Sequence, residues 1–292
     1  MKAVVIISIR LGMLTVLYFI CFAAVSAALL PTLSDQQAPA QAGATLTALL
    51  AVSFLNTVVL AYVILRSRWA GWKLTLTIFF ACYGAMTVMP QIETAFFVSR
   101  LPPGMLPRLF LAGAIIAALW CPLAVVILGK RRSERAEAES SARLNMPAGE
   151  WLGKLLLIVS IYVVIYFTFG YFIAWKSAAV RAYYGGNDPG SFLAQMCAVA
   201  RDTPWVLPLQ VMRALMWAAI AVPVIRMTKG PWWEAGLAVA LLFTVVSAQL
   251  LLPNPLMPRE VRMVHLLETA SSNFLFGWLV VLVLRGRSRI KR

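Results

Sequence analysis

Long runs of apolar residues, separated by short polar segments, dominate the pattern of this chain. Eight runs come close to the roughly 20 residues that an α-helix needs to cross the hydrocarbon core of a bilayer. They cover roughly residues 11–31, 44–65, 74–97, 109–128, 152–175, 206–225, 233–252 and 263–284. The pattern predicts an all-α fold, a polytopic membrane bundle of eight transmembrane helices. The first run is longer than the apolar core of a signal peptide, so we interpret it as an uncleaved span.

Composition excludes a single soluble domain. The chain has 292 residues, of which 61% are apolar and only 13% are charged. Soluble domains are about half apolar and a quarter charged. Too little charged surface is therefore present to cover a globule in water.

Basic residues alternate in number between the segments that separate the runs. Eighteen of the 26 lysines and arginines fall on the side of the N-terminus, and seven fall on the opposite side. Because basic residues collect on the cytoplasmic side of membrane helices, both termini are predicted to be cytoplasmic. The net charge of +15 then reflects topology in the lipid bilayer, and no nucleic-acid partner is predicted. Arginines outnumber lysines 19 to 7, which favours a bacterial source and hence a bacterial inner membrane.

Two pairs of similar segments indicate an internal repeat. PPGMLPR at 102–108 is similar to PNPLMPR at 253–259, and VILR at 63–66 is similar to PVIR at 223–226. The similarity predicts two four-helix halves, 1–130 and 152–292, joined by a cytoplasmic linker at 131–151. Because four is even, the halves would have parallel orientation about an axis along the membrane normal. Proline-rich turns can also resemble one another without a common origin.

The segment 176–204 is predicted to be the longest outer loop. The cluster GGNDPG at 185–190 predicts a turn, and Ser191 can cap a short helix that runs to Arg201. Apolar residues share one face of that helix, which favours a position on the membrane surface, with coverage of a cavity as the alternative. Aromatic residues near the run ends, such as Trp175, Tyr184 and Trp205, are expected to be interface anchors.

Four ionisable residues lie inside the apolar runs, where such groups are costly and usually face the bundle interior or water. Glu93 lies in the third run, Arg213 in the sixth, and His265 and Glu268 in the eighth. At 1.5 Å per residue, all four fall within roughly 5–12 Å of the outer surface. An isolated buried charge is costly, so we expect Arg213 to pair with Glu93 or Glu268. One face of the eighth helix would carry Arg262, His265, Glu268 and Ser272, with Gly277 allowing a close helix approach.

These residues define a candidate site that opens to the outer face. The predicted substrate-binding or proton-coupling residues are Glu93, Arg213, His265, Glu268, Asn273 and Gln91. A basic rim could attract an anionic solute or a lipid headgroup phosphate, and its predicted members are Arg100, Arg108, Arg181, Arg259 and Arg262. The alternative is a buried polar network that only holds helices together.

The duplicated halves, the interior charges and a span interrupted by Pro90 favour a transporter or a permease for a lipid or anionic solute. One alternative is a non-catalytic membrane subunit that docks a protein partner through 176–204. Another is an outer-face enzyme acting on a lipid-linked substrate, with Glu268 and His265 as acid and base. The sequence lacks the motifs of P-loop nucleotide-binding proteins (G-x-x-x-x-G-K-[ST]), zinc proteases (H-E-x-x-H) and serine hydrolases (G-x-S-x-G). The four cysteines are not spaced as metal ligands, so neither a cofactor nor a metal is predicted.

Overall fold

The computed structural model describes residues 2–30, 42–98, 101–131, 144–188 and 190–285. Within these ranges the chain forms ten helices. In chain order they are α1 (Lys2–Leu29), α2 (Ala42–Leu65), α3 (Gly71–Phe97), α4 (Met105–Ile127), α5 (Ala148–Ala174), α6 (Ala178–Tyr184), α7 (Phe192–Asp202), α8 (Val206–Met227), α9 (Trp232–Leu251) and α10 (Arg259–Arg285).

Eight of these helices, all except α6 and α7, are long and apolar enough to span a membrane. The predicted number of spans is therefore confirmed. The first helix begins at Lys2 rather than near residue 11, because the mostly apolar segment 4–9 extends it and Arg10 alone does not interrupt the backbone. Most of the predicted linker 131–151 lies outside the described residues.

The helices of the two halves have the same order of neighbours. In the first half α1 packs against α2 and α4, and α3 packs against α4. In the second half α5 packs against α8 and α10, and α9 packs against α10. The main contacts between the halves join α2 to α9 and α3 to α8. A continuous buried apolar core runs through both halves.

One end of the bundle, called the basic end below, joins the turns after α2 and α8. Ser67 and Thr228 form an isolated antiparallel bridge between these turns. Nε of Arg66 donates to Oε2 of Glu234 at 2.7 Å, and Lys130 Nζ donates to the carbonyl of Ser67 at 2.5 Å. The basic residues of this end include Arg66, Lys73, Lys130, Lys154, Arg226 and Lys229.

Three spans depart from regular α-helix, and each does so towards the opposite end. A π-helical turn, Gly84–Val88, precedes Pro90 in α3; it absorbs the disruption that a residue without a backbone N–H causes. A second π turn, Gly170–Ala174, ends α5, and a 3-10 segment, Val246–Leu251, ends α9. Nε2 of Gln249 donates to the carbonyl of Met86 at 2.7 Å and so joins the 3-10 segment to the first π turn.

The closest helix contact in the second half lies between α9 and α10. A Cβ atom added at Gly277 would lie 2.6 Å from Cα and 2.8 Å from N of Ala240. Only a glycine permits this approach, so the predicted role of Gly277 is confirmed. The contact holds α10 against α9 along one face.

Candidate functional site

A cavity of about 470 Å³ lies at the end of the bundle opposite the basic end, called the cavity end below. Spans α3, α5, α8 and α10 form its walls, and residues of α6 and α7 also line it. Cavities of this size hold small organic ligands. The predicted site residues that line it are Glu93, Arg213, His265, Glu268 and Asn273.

The first charged pair in the cavity joins α3 to α8. Nη1 of Arg213 lies 2.5 Å from Oε1 of Glu93, which is one of the two partners predicted for it. The same nitrogen donates to Oε1 of Gln210 at 2.9 Å, and the guanidinium lies 5.8 Å from the centre of the Tyr162 ring. The Arg213 side chain is 6% exposed and that of Glu93 is 40% exposed. The Glu93 carboxylate is therefore the more accessible group of the pair, and the Arg213 guanidinium is buried next to it.

The second pair forms a short chain of hydrogen-bonding groups between α10 and α6. Nδ1 of His265 lies 2.7 Å from Oε2 of Glu268, three residues away on the same helix face. Nε2 of His265 lies 3.3 Å from the hydroxyl of Tyr184. Burial raises the pKa of the Tyr184 phenol, so this hydroxyl keeps its proton at neutral pH. His265 and Glu268 thus lie together on the helix face that the sequence predicts. The contact between His265 and Tyr184 was not predicted.

Aromatic side chains make up much of the cavity wall. Trp175, Tyr184 and Trp205, which we expected to be interface anchors, line the cavity. Trp205 stacks on Phe96, with ring centres 5.4 Å apart. The aromatic lining comprises Phe97, Tyr162, Tyr166, Phe167, Tyr171, Trp175, Tyr184, Trp205 and Phe276.

Helix α7 begins where the sequence predicts and covers the cavity. The Ser191 hydroxyl accepts a hydrogen bond from the Ala194 N–H at 3.2 Å, the cap expected from the sequence. Gln195, Met196 and Val199 line the cavity. These contacts are those expected from the alternative, in which the helix covers a cavity. Helix α6 was missed because its seven residues are too few for a periodic pattern.

The basic residues expected at a rim are not among the described residues that line the cavity. Arg262 is buried and donates to the carbonyls of Leu250 and Leu252 at 2.9 and 2.6 Å, so it caps the end of the 3-10 segment. Arg181 donates to the carbonyl of Trp175 at 2.6 Å. Neither of these lines the cavity, and the same holds for the exposed side chains of Arg108 and Arg259. Arg100 lies outside the described residues.

Of the polar residues near the charged pairs, some line the cavity and others are buried between helices. Asn273 borders the cavity and donates from Nδ2 to the carbonyl of Phe243 at 2.9 Å. Gln91 does not line the cavity, and its Oε1 is buried without a hydrogen-bond partner among the described residues. Gln210 was missed, although its position three residues before Arg213 places both on one helix face. Within the described part of the chain, no three His, Cys, Asp or Glu residues are grouped to hold a metal ion.

No protein-family model matches this chain, and neither a curated protein nor a solved structure matches it significantly. The class of the protein therefore follows from its own architecture. Eight apolar helices define an integral, multi-pass membrane protein that contacts the lipid bilayer. Its bundle carries a cavity lined by charged and aromatic side chains.

Proposed function

We propose that the protein is a transporter or permease of the bacterial inner membrane and that the cavity is its solute-binding site. The observation that carries this proposal is the convergence of Glu93, Arg213, His265 and Glu268, from three different spans, on one cavity. Ionisable groups are costly within a bilayer, and they commonly mark the pathways of solutes or protons.

In this proposal the basic end faces the cytoplasm and the cavity opens to the outer face. Support comes from the surplus of lysine and arginine in the segments of the basic end, since such a surplus is typical of cytoplasmic loops. Both chain termini then lie in the cytoplasm.

The proposal includes a parallel repeat of four plus four helices. It is supported by the equal order of helix neighbours in the two halves. Ser67 and Thr228, which closely follow the similar segments VILR and PVIR, also pair with each other. Counted from these segments, Ser67 corresponds to Met227 and Arg68 to Thr228, so the bridge joins adjacent positions of two equivalent turns. A two-fold axis brings equivalent segments into contact in this way. Repeats of this kind are common in transporters, where the solute site lies between helices of one or both halves.

The proposed proton-coupling element is the pair His265–Glu268. An imidazole and a carboxylate 2.7 Å apart can share a proton, and the charge of the pair then changes by one unit between its two states. An anionic solute was expected because of the basic rim, and no described member of that rim lines the cavity.

Access from both sides of the membrane tests this proposal without knowledge of the solute. Cys21, Cys82 and Cys121 are buried, so Cys197→Ser removes the exposed thiol, and Thr269→Cys then places one thiol in the cavity. A membrane-impermeant maleimide is applied to right-side-out and to inside-out vesicles. A permease that alternates between two open states exposes this thiol to reagent on either side.

Two proteins with one accessible thiol each serve as controls for sidedness. The unaltered chain marks the cavity end through Cys197, and Cys197→Ser with Lys229→Cys marks the basic end. Each control must react in only one type of vesicle. Labelling of Thr269→Cys only where Cys197 reacts would contradict a permease and leave a site that is open to one side.

A second candidate function is supported by the chain Tyr184–His265–Glu268. Glu268 orients the imidazole, and the second ring nitrogen meets a phenol, an arrangement that suits acid–base catalysis on a lipid-linked substrate. In that case His265→Ala abolishes turnover while ligand binding persists. In a transporter, His265→Ala alters proton coupling instead.

A further inference from the structure

We propose that the cavity binds an organic ammonium group carried on an apolar, aromatic body. This inference rests on the proposed function, in that the cavity must be a binding site, and it names the chemical class of the ligand. It replaces the anionic solute that the sequence alone led us to expect.

The charges that face the cavity are mainly negative. Among the described residues that line it, Arg213 is the single lysine or arginine, and its guanidinium is held behind the carboxylate of Glu93. Glu93 is the most accessible charge, with 40% of its side chain exposed. Glu268 adds a second carboxylate, whose one ion-pair partner among the described residues is His265. An incoming anion would meet Glu93 first and be repelled, whereas a cation would be attracted.

The aromatic walls suit an ammonium group as well. A cation within about 6 Å of the centre of an aromatic ring is attracted by the electrons of the ring face. Two cavity residues already make such contacts with the chain's own cations. Nζ of Lys176 lies 4.6 Å from the centre of the Tyr171 ring, and the Arg213 guanidinium lies 5.8 Å from that of Tyr162. The rings of Tyr166, Trp175 and Trp205 line the same space.

The remaining lining selects the body of the ligand. Ile165, Val206, Leu250 and Phe276 are apolar residues on the cavity wall, so an inorganic cation would leave much of the wall without a partner. A volume of about 470 Å³ accommodates a ligand of one or two aromatic rings. An amphipathic amine satisfies both the carboxylates and the apolar wall.

A set of three probes of equal size separates charge from hydrophobicity. We would measure binding of 3-phenylpropylamine, 3-phenylpropanol and 3-phenylpropionate to the full chain by calorimetry at neutral pH, in micelles of dodecyl maltoside, which has no ammonium group. The fluorescence of Trp175 and Trp205, which line the cavity, gives a second readout. The proposal expects the amine to bind at least tenfold more tightly than the propionate, with the alcohol between them. Equal affinities, or tighter binding of the propionate, would overturn it.

Charge-removing variants locate the binding site. Glu93→Gln and Glu268→Gln should each weaken amine binding several-fold, and the difference between amine and propionate should shrink. The matched control is Glu260→Gln, because Glu260 is an exposed carboxylate of α10 that does not line the cavity. If amine affinity is unchanged in both cavity variants, or falls equally in the control, the ammonium site is not this cavity.

A double variant controls for the chance that Glu93→Gln impairs folding. Glu93→Gln leaves Arg213 without its carboxylate, so the double variant Glu93→Gln with Arg213→Met restores neutrality at this position. It should melt closer to the unaltered protein and still bind the amine weakly. Full amine affinity in the double variant would show that Glu93 does not take part in amine binding.

The ammonium group could belong to a free solute or to a lipid headgroup. Titration in the same micelles with added phosphatidylethanolamine separates these sources. Reduced affinity for the amine probe there identifies the headgroup as a competitor, and unchanged affinity identifies a free solute; both results support an ammonium site. The thiol-access experiment involves no amine, so one-sided access would refute the permease without touching this inference, and failure of amine binding with two-sided access would refute only the ligand class.

Discussion

The two halves of the bundle share one arrangement of neighbours and differ in what fills the space between the helices. In the first half, Tyr18, Asn56 and Trp120 are nearly or fully buried. The Asn56 amide donates to the Tyr18 hydroxyl at 3.1 Å, and Trp120 Nε1 donates to the carbonyl of Leu14 at 3.1 Å. The Tyr18 and Trp120 rings meet edge to face, 5.6 Å apart. Neutral side chains fill this half.

In the second half a comparable aromatic pair forms the floor of a cavity. Tyr162 and Phe276 are buried, with ring centres 4.8 Å apart, and both line the cavity. Above them lie two charged pairs, Glu93–Arg213 and His265–Glu268. The comparison teaches that the order of helices does not decide whether space is filled. The size and charge of a few side chains at the cavity end decide it.

The largest effect is expected from opening the closed half. Trp120→Ala removes a fully buried indole and should lower the free energy of unfolding by about 3–5 kcal/mol. The same change at Trp205, which is 37% exposed at the cavity, should cost much less, because that side chain already borders open space. Unfolding by SDS titration in mixed micelles measures both. Equal losses for the two variants would mean that the two halves are packed alike.

The close contact between α9 and α10 gives the next effect. Gly277→Ala forces a Cβ atom against the backbone of Ala240 and should destabilise the protein by about 1–3 kcal/mol. As a control, Gly153→Ala in α5 has nothing within 4 Å of the new Cβ atom, and the better helix propensity of alanine should leave stability unchanged or slightly raised. Because α10 carries His265 and Glu268, Gly277→Ala should also alter ligand binding, whereas Gly153→Ala should not. Loss of stability in both variants alike would show that the contact has no special role.

A smaller effect distinguishes structural charges from functional ones. Glu93→Gln should cost about 1–2 kcal/mol, less than the loss expected for a fully buried pair, because Glu93 is partly exposed and Gln210 still contacts Arg213. Replacement of both partners, Glu93→Gln with Arg213→Met, should recover part of that loss, since no buried charge remains. Unfolding of the three proteins in parallel measures this coupling. If each charge-removing variant lowers the melting temperature and retains full ligand binding, the charges only hold the helices together.

Sequence patterns predict the spans and the charged residues well because each depends on one local property. Twenty apolar residues predict a span, and Glu93, Arg213, His265 and Glu268 are conspicuous because they interrupt such runs. The burial of Arg262 could not be predicted from the sequence. An arginine near the outer end of a span is typical of a rim, but here its guanidinium donates to carbonyls at the end of the 3-10 segment of another span.

The aromatic residues of the cavity wall also could not be assigned from the sequence alone. Trp175, Tyr184 and Trp205 lie near span ends, where aromatic residues usually meet lipid headgroups. Whether such a ring faces lipid or a cavity depends on the neighbouring helices. Here residues of α6 and α7 line the cavity, and α6 was not predicted at all. Residue type alone could not separate the two positions.

The smallest effect concerns the turn between α6 and α7. The Gly190 N–H donates to Oδ1 of Asp188 at 2.9 Å, and this hydrogen bond, with Arg181 nearby, lowers the pKa of the Asp188 carboxyl. A lowered pKa means that the stabilisation is complete above the ordinary aspartate value and is lost as the pH falls through the lower value. Acidification should therefore loosen the start of α7 and speed amide hydrogen exchange at Gly190 and Ala194. Asp188→Asn keeps an acceptor but cannot titrate, so the acid-induced increase should be absent in that variant. An equal increase in both proteins would show that some other group titrates, and that the cover of the cavity does not depend on this turn.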